Sequence, residues 1–397
     1  MAKTNTGMHA ARNNKNDEFY TMLEDIEAEL RHYSGQFKDQ CVFCNCDDPY
    51  ESNFVKYFLL NFNKLKLKKL IATCYDGSPV ADTEFYPGNL FEGEFAVNLG
   101  PKTIKTMVTK AYKIEVTEVP DLNGDGAIDL EDIKLLLQQP GVVTPLTGNG
   151  DFRSEECLAL LEESDICATN PPFSLMREYI ATMIVHKKRF IVLGNMNAIT
   201  YKEVFPLIKS NDLWVGYHFN TTMVFKTPYT NTSEANRKYV SAQGYDPEEG
   251  YTVVKGIAWF TNLPVVKREE ELIMYENYTP EKFYTYHNYP AINIDSVKTI
   301  PVDYFGYMGV PITYLDKYNP KQFEIINLSR YVTDSTGLDA AFVDNYNKHN
   351  KNAIPVGYKD LGYYTAEGIA TIPYMRIIIK RKYKNDGTLN TEADTNA

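Results

Sequence analysis

The string DICATNPPFSLMREY at 165–179 reads as an apolar run, a rigid loop and the start of a helix. Asp165–Thr169 has the length and composition of a buried strand. Pro171 and Pro172 then forbid both ladder pairing and an ordinary helical turn, so the chain must leave the sheet in an open loop. Asn170 offers an amide oxygen, Pro171 a backbone carbonyl and Phe173 a flat apolar face. Together they suit the gripping of a planar ring through its exocyclic amine. A proline-stiffened turn is the plain alternative, and the strand–NPPF–helix context favours the grip.

Outward from this string, short apolar runs alternate with amphipathic helices. Strands are expected at Gln40–Cys46, Lys69–Tyr75 and Arg189–Gly194, and helices at Ser52–Leu65, Glu155–Glu163 and Met176–His186. An earlier helix should follow Asp17 and Glu18, with Met22, Ile26 and Leu30 on its apolar face. Such alternation implies an α/β fold with a largely parallel sheet covered on both faces, and functional residues at the carboxyl ends of its strands. Residues 1–16 read as a flexible arm and 17–210 as a catalytic core. An insertion at 77–149 interrupts the core, with a hairpin of Glu84–Asn98 and Ala111–Val119. Beyond 210 the pattern changes to aromatic, proline-punctuated strands such as Leu213–Phe219, Met223–Phe225 and Gly256–Asn262. We expect 211–397 to form a second functional region, with a disordered polar tail from about 385.

The chain has 397 residues, 44% hydrophobic and 23% charged, which is globular composition with material for a sizeable core. No apolar run approaches the roughly 18 residues of a membrane span, and the N-terminus has no secretory apolar region. A cytoplasmic protein without a membrane partner is expected. Lys and Arg total 41 against 52 Asp and Glu, a net charge of −11, which argues against an all-over-basic nucleic-acid binder but allows a local basic face. Basic residues cluster at Lys64, Lys66, Lys68 and Lys69, and again at Arg376, Lys380, Arg381, Lys382 and Lys384. The cysteines of CVFCNC at 41–46 read as buried strand thiols, since no second pair or nearby His completes a tetrahedral zinc site.

An amine conjugated to a ring is a poor nucleophile, because its lone pair is delocalised. Hydrogen bonds donated by the amine to the Asn170 amide oxygen and the Pro171 carbonyl would favour a pyramidal nitrogen with a localised pair. A donor already activated, the sulfonium methyl of S-adenosylmethionine, needs no metal and no covalent intermediate. Positioning for an in-line displacement is then what the protein must supply.

With these residues in view, the chain resembles the adenine-specific DNA methyltransferases of the EcoRI type. NPPF is shared with methyltransferases acting on protein glutamine or RNA. Longer strings are more specific: KNDEFYT (15–21), CNCDDPYESNF (44–54), GDFRSEE (150–156), NAITYKEVFPLIK (197–209) and GVPITYLDKYNPKQFE (309–324), with a weaker echo in PYMRIIIKRK (373–382). The resemblance implies a Rossmann-like sheet and an S-adenosylmethionine pocket. Its cofactor side would include Phe19, Thr21, Asn45, Asp47, Asp48, Asp76, Asp151, Phe152 and Asn170. Asp76, at the end of the second strand, would take ribose hydroxyls or stand in a surface turn; Asp151 would take the adenine amine and Phe152 the face of the ring. Most such enzymes carry a glycine-rich turn where this chain has Asp47, Asp48 and Pro49, and either acid could instead cap the following helix. Catalysis would fall to Asn170, Pro171, Pro172 and Phe173, acting on adenine N6 flipped out of duplex DNA. Lys3, Arg12, Lys15, Lys380, Arg381 and Lys382 would contact the DNA. The expected form is a monomer on double-stranded DNA, compatible with a cognate restriction endonuclease acting separately. Cytosine N4, RNA or protein glutamine are alternative targets, and an inactive calcium-dependent or DNA-binding module is an alternative class.

DLNGDGAIDLED at 121–132 has a different character. Asp121, Asn123, Asp125, Gly126, Asp129 and Asp132 fall at positions 1, 3, 5, 6, 9 and 12 of an EF-hand-like loop. A structural calcium ion is one reading. A solvated acidic turn with Asp129 capping the next helix is the other, favoured by Asp at position 12 and by the strand-like run KIEVTEVP in place of an entering helix.

Overall fold

The computed structural model describes residues 20–50, 52–75, 111–227, 233–333, 335–350, 355–357, 359–385 and 387–390. They divide into two compact units. One gathers the described residues up to Glu203 together with Val215–Pro264; the other gathers Val204–Trp214 and the residues from Val265 onward.

The first unit is built on a mixed sheet. Its strands are β1 (Tyr20–Thr21), β2 (Cys41–Cys44), β3 (Lys69–Thr73), β4 (Tyr112–Val116), β5 (Val143–Pro145), β6 (Ile166–Thr169), β7 (Arg189–Asn195), β8 (Trp214–Lys226) and β9 (Tyr251–Thr261). Their order across the sheet is β1-β8-β9-β7-β6-β2-β3-β4-β5. The four central strands, β7, β6, β2 and β3, run parallel. β9 joins one side antiparallel, and β4 and β5 join the other antiparallel. Every residue of CVFC in β2 and ICAT in β6 is buried, as central parallel strands covered on both faces require.

Helices α1 (Leu23–Leu30), α2 (Asn53–Leu60), α3 (Phe62–Leu65), α4 (Leu130–Leu137), α5 (Glu155–Glu163) and α6 (Met176–Val185) belong to this unit. α5 shows how local chemistry sets an element. Ser154 Oγ accepts the amide of Cys157, Glu155 and Glu156 sit in the first turn, and Cys157, Leu160 and Leu161 form the buried stripe. The helix expected over 52–65 is broken at Asn61, whose φ of −103° and ψ of 8° are not helical; Lys66 ends the second piece in the left-handed region.

Three expectations change. Val215–Pro264 completes the main sheet rather than opening a second region, so the boundary placed at 210 moves to about 265 for most of the chain. The strand within Ala111–Val119 pairs with β3 and β5 in the main sheet; 84–98 lies outside the described residues. The N-terminal helix begins at Leu23, because Tyr20 and Thr21 are drawn into pairing with Lys226 and Phe225.

In the second unit, β10 (Ala291–Asn293), β11 (Tyr307–Pro311) and β12 (Phe323–Leu328) combine with a C-terminal strand. After the small pair β13 (Tyr363–Tyr364) and β14 (Ala370–Thr371), that strand, β15 (Arg376–Arg381), lies between β11 and β12. The tail remains attached past 385: Asn390 is buried and its Nδ2 donates to the carbonyls of Phe305 and Arg381.

Candidate active site

The parallel strands deliver the strings singled out above to one end of the sheet. Cys41–Cys44 and Ile166–Thr169 are neighbours, with Val42 opposite Ile166 and Phe43 opposite Cys167. The loops that follow them therefore meet. Asp47, 8% exposed, takes the Thr169 hydroxyl and the Asn170 amide (3.4 Å) on Oδ2, and the Ser52 hydroxyl (2.7 Å) on Oδ1. Thr169 Oγ1 in turn accepts the Cys46 amide at 3.2 Å. Burial pushes the Asp47 carboxyl up to about 6, against the opposing pull of the Thr169 and Ser52 hydroxyls. Asp48 Oδ1 accepts the Tyr50 amide and the Tyr112 hydroxyl, each at 2.9 Å. Ser52, rather than either acid, caps α2 by accepting the Phe54 amide.

Asn45 lies two residues before Asp47. Its Oδ1 accepts the Tyr179 hydroxyl at 2.8 Å, while its Nδ2 is buried and has no acceptor among the described residues. Thr21 Oγ1 is likewise buried without a partner among the described residues. Thr21 is tied in from its backbone: its carbonyl accepts Asn53 Nδ2 at 2.7 Å, and it pairs across from Phe225. Phe225 meets Phe173 edge to face, centroids 6.3 Å apart. Phe173 is thus 7% exposed, and the open aromatic face expected of it is partly taken by Phe225. Asn170 is half-buried with its side-chain oxygen shielded from solvent, and Pro171 is buried.

The GDF string is placed by Gly150, whose φ is +74° and where a Cβ would stand 2.0 Å from the Cys74 carbonyl oxygen. Only glycine lets this turn pass so close to the end of β3. Asp151, expected to take the adenine amine, is held by Arg153: Oδ1 accepts Nε at 2.9 Å and Oδ2 accepts Nη2 at 2.6 Å. That guanidinium keeps the carboxyl below its ordinary range. Phe152 is buried against Tyr179, centroids 5.2 Å apart. Phe19, Asp76, Lys3, Arg12 and Lys15 lie outside the described residues.

The basic C-terminal run does not present the cations expected of it. Lys380 and Arg381 are 7% and 8% exposed within the inner strand β15. Arg381 donates to the Val302 carbonyl and to Asn385, and lies 4.9 Å from the Phe305 ring centroid. Every residue of β15 is buried, because the strand is flanked on both edges, and this hides the basic run that the sequence offers as a DNA contact. Lys382 is half-buried. In the other cluster, Lys69 is bound by Glu115 and Glu163.

Among the described residues, no group of three His, Cys, Asp or Glu side chains is placed to hold a metal ion. In the 121–132 loop the carboxylates turn to the loop's own amides. Asp121 accepts from Gly124 and Gly126, and Asp132 from Leu122, Asn123 and Asp129. Asp129 and Asp132 form a capping box on α4. The capping-turn reading describes this geometry, and calcium has no support in it.

The residues missed from sequence are Ser52, Thr169, Tyr112 and Tyr179. The hydroxyls of Thr169, Tyr112 and Tyr179 have partners distant in the chain, which no local signal marks, whereas Ser52 reaches back to Asp47 within the same loop.

A mixed sheet with a parallel centre, ending in amides and carboxylates beside a strand–NPPF–helix loop, defines an amino-group methyltransferase of the S-adenosylmethionine-dependent class. The chain matches the family model described as adenine-specific methyltransferase EcoRI over residues 7–382. It belongs to this family, and is an adenine-specific DNA methyltransferase. Among its relatives, the Type II methyltransferase M.EcoRI of Escherichia coli is 39% identical over 83% of this chain and 91% of its own length. M.MpnI of Mycoplasma pneumoniae, also a Type II methyltransferase, is 36% identical over 86% and 92%. No solved structure matches the chain.

The donor set fits the cofactor the family implies. S-adenosylmethionine carries hydrogen-bond donors and acceptors on its amino-acid, ribose and adenine parts. The strand ends supply Asp48 and Asp151 as acceptors and Asn45 Nδ2, without an acceptor among the described residues, as a buried donor.

Proposed function

We propose that the chain methylates N6 of an adenine extruded from duplex DNA, with Asn170 and the Pro171 carbonyl holding the amine. The observation that supports this most is the linkage of the NPPF loop to the loop after β2 through Asp47. S-adenosylmethionine, when bound, supplies an activated methyl group on a sulfonium centre. Asn45, Thr21, Asp48 and Asp151 would hold it, with Phe152 beneath as part of the wall. Asp47 spends its oxygens on Thr169, Asn170 and Ser52, which makes it a positioning residue rather than a cofactor ligand.

Asn170 acts on the amine through its side-chain oxygen. Accepting a hydrogen bond from N6 favours the pyramidal nitrogen, so stabilisation grows as the lone pair is committed. Its backbone amide, held on Asp47, limits the freedom of the loop and so the misplacement of the reacting nitrogen. Phe173, braced by Phe225, offers the extruded base an edge of an aromatic pair. Extrusion costs a few kcal/mol, which contacts to the base must offset in part.

We place target recognition in the second unit, which has a hydrophobic core of its own. The functional reading is tested by incubating the purified chain with duplex DNA and S-adenosylmethionine labelled in its methyl group. Label recovered as N6-methyladenine supports it, and label in cytosine or none in DNA contradicts it.

A further inference from the structure

Tyr179 is where three of the strings meet. It lies on α6, two turns after the NPPF loop, and is fully buried. Its ring packs on Phe152 of the GDF string, and its hydroxyl donates to Asn45 Oδ1 at the end of β2. A tyrosine serving only as core would be satisfied by any acceptor at the edge of the sheet. Here the acceptor is one end of a side-chain amide that is itself 2% exposed. With Oδ1 engaged, the amide cannot turn over without losing that bond, so Nδ2 must face the other way. Among the described residues, Nδ2 has no acceptor. A buried amide N–H without a partner costs free energy, and such groups in a folded protein call for a missing acceptor.

We propose that Tyr179 is a positioning residue for the cofactor: by holding Asn45 Oδ1 it aims Asn45 Nδ2 at an acceptor atom of bound S-adenosylmethionine. This rests on the reading of the strand ends as the cofactor pocket. It also joins the cofactor site to the helix that begins beside the catalytic loop, so that a single phenol orients the donor and supports Phe152.

The test is equilibrium binding of S-adenosylmethionine and of S-adenosylhomocysteine to the full chain without DNA. Tyr179→Phe keeps the ring on Phe152 and removes only the hydroxyl; affinity for both should fall roughly fivefold, the effect of one hydrogen bond. Asn45→Ala should lose more, and the double variant should lose no more than Asn45→Ala alone. The single-turnover rate at saturating cofactor should fall less than the affinity does. Unchanged affinity in Tyr179→Phe, or additive losses in the double variant, would overturn the assignment. If Tyr179→Phe fails to fold, Asn45→Asp decides: it keeps an acceptor for Tyr179 and removes the free donor, so lost affinity supports the proposal and retained affinity overturns it. A wild-type chain that binds neither compound overturns the pocket itself, a result distinct from wild-type binding that the variants leave untouched.

Discussion

The hydroxyl of Thr169 donates to the carboxylate of Asp47, joining the last residue of β6 to the loop after β2. These residues are 122 apart in the chain and meet because the two strands are parallel neighbours. The same carboxylate takes the amide of Asn170, so the residue proposed to grip the substrate amine is held from its backbone.

Asp47 should leave a mark on stability. Its carboxyl is pushed up to about 6 by burial, above an unfolded value of roughly 4. The folded state therefore holds the proton more tightly than the unfolded state. This contribution is fully present below about pH 4 and is lost as pH rises through about 6. Asp47→Asn lacks it. Its stability relative to wild type should rise by roughly 2 kcal/mol between pH 4 and pH 7. Denaturant unfolding of both proteins across that range checks it; parallel curves would refute it.

Gly216 gives a second test, of the junction between α1 and β8. Glu29 is fully buried and accepts the Tyr33 hydroxyl and the amides of Tyr217 and His218, each at 2.8 Å. A Cβ at Gly216 would stand 2.2 Å from Glu29 Oε1 and 2.8 Å from Trp259 Cβ. Gly216→Ala should destabilise the unit by roughly 1–3 kcal/mol, read from the denaturation midpoint. A neutral result would mean that Glu29 is not clamped here.

Much of the catalytic unit is legible in the sequence because its signals are local. Ser154, two glutamates and three apolar positions specify α5 to the residue. NPPF announces its own loop. The partners of that loop are different in kind: nothing near Asp47 or Tyr179 says that they face Thr169 and Asn45, since both contacts follow from the packing of distant elements. The placement of Val215–Pro264 was obscured for the same reason. β8 and β9 are aromatic and long, unlike β2 and β6, yet they complete the same sheet.

The acidic loop should respond to substitution as a cap. Asp129 accepts the Glu131 amide at the start of α4, and Asp129→Ala should cost about 1 kcal/mol. Adding calcium should leave the melting temperature of the unmutated chain unchanged. A rise of several degrees would restore the ion-binding reading.

Arg381 should act through the fold of the second unit. Removing its contacts to the Val302 carbonyl and the Phe305 ring by Arg381→Ala should lower stability by roughly 1–3 kcal/mol. The salt dependence of DNA binding should keep its slope. A slope reduced by about one would instead show a phosphate contact.

The most direct test of the account is single-turnover transfer of labelled methyl groups to duplex DNA by Asn170→Ala, beside a DNA-binding measurement on the same protein. If Asn170 shapes the nitrogen's lone pair, the chemical step should slow by a factor on the order of 100 to 1000, as loss of one transition-state hydrogen bond does. DNA affinity and melting temperature should stay close to wild type. A near-normal transfer rate would reduce NPPF to a turn and contradict the mechanism.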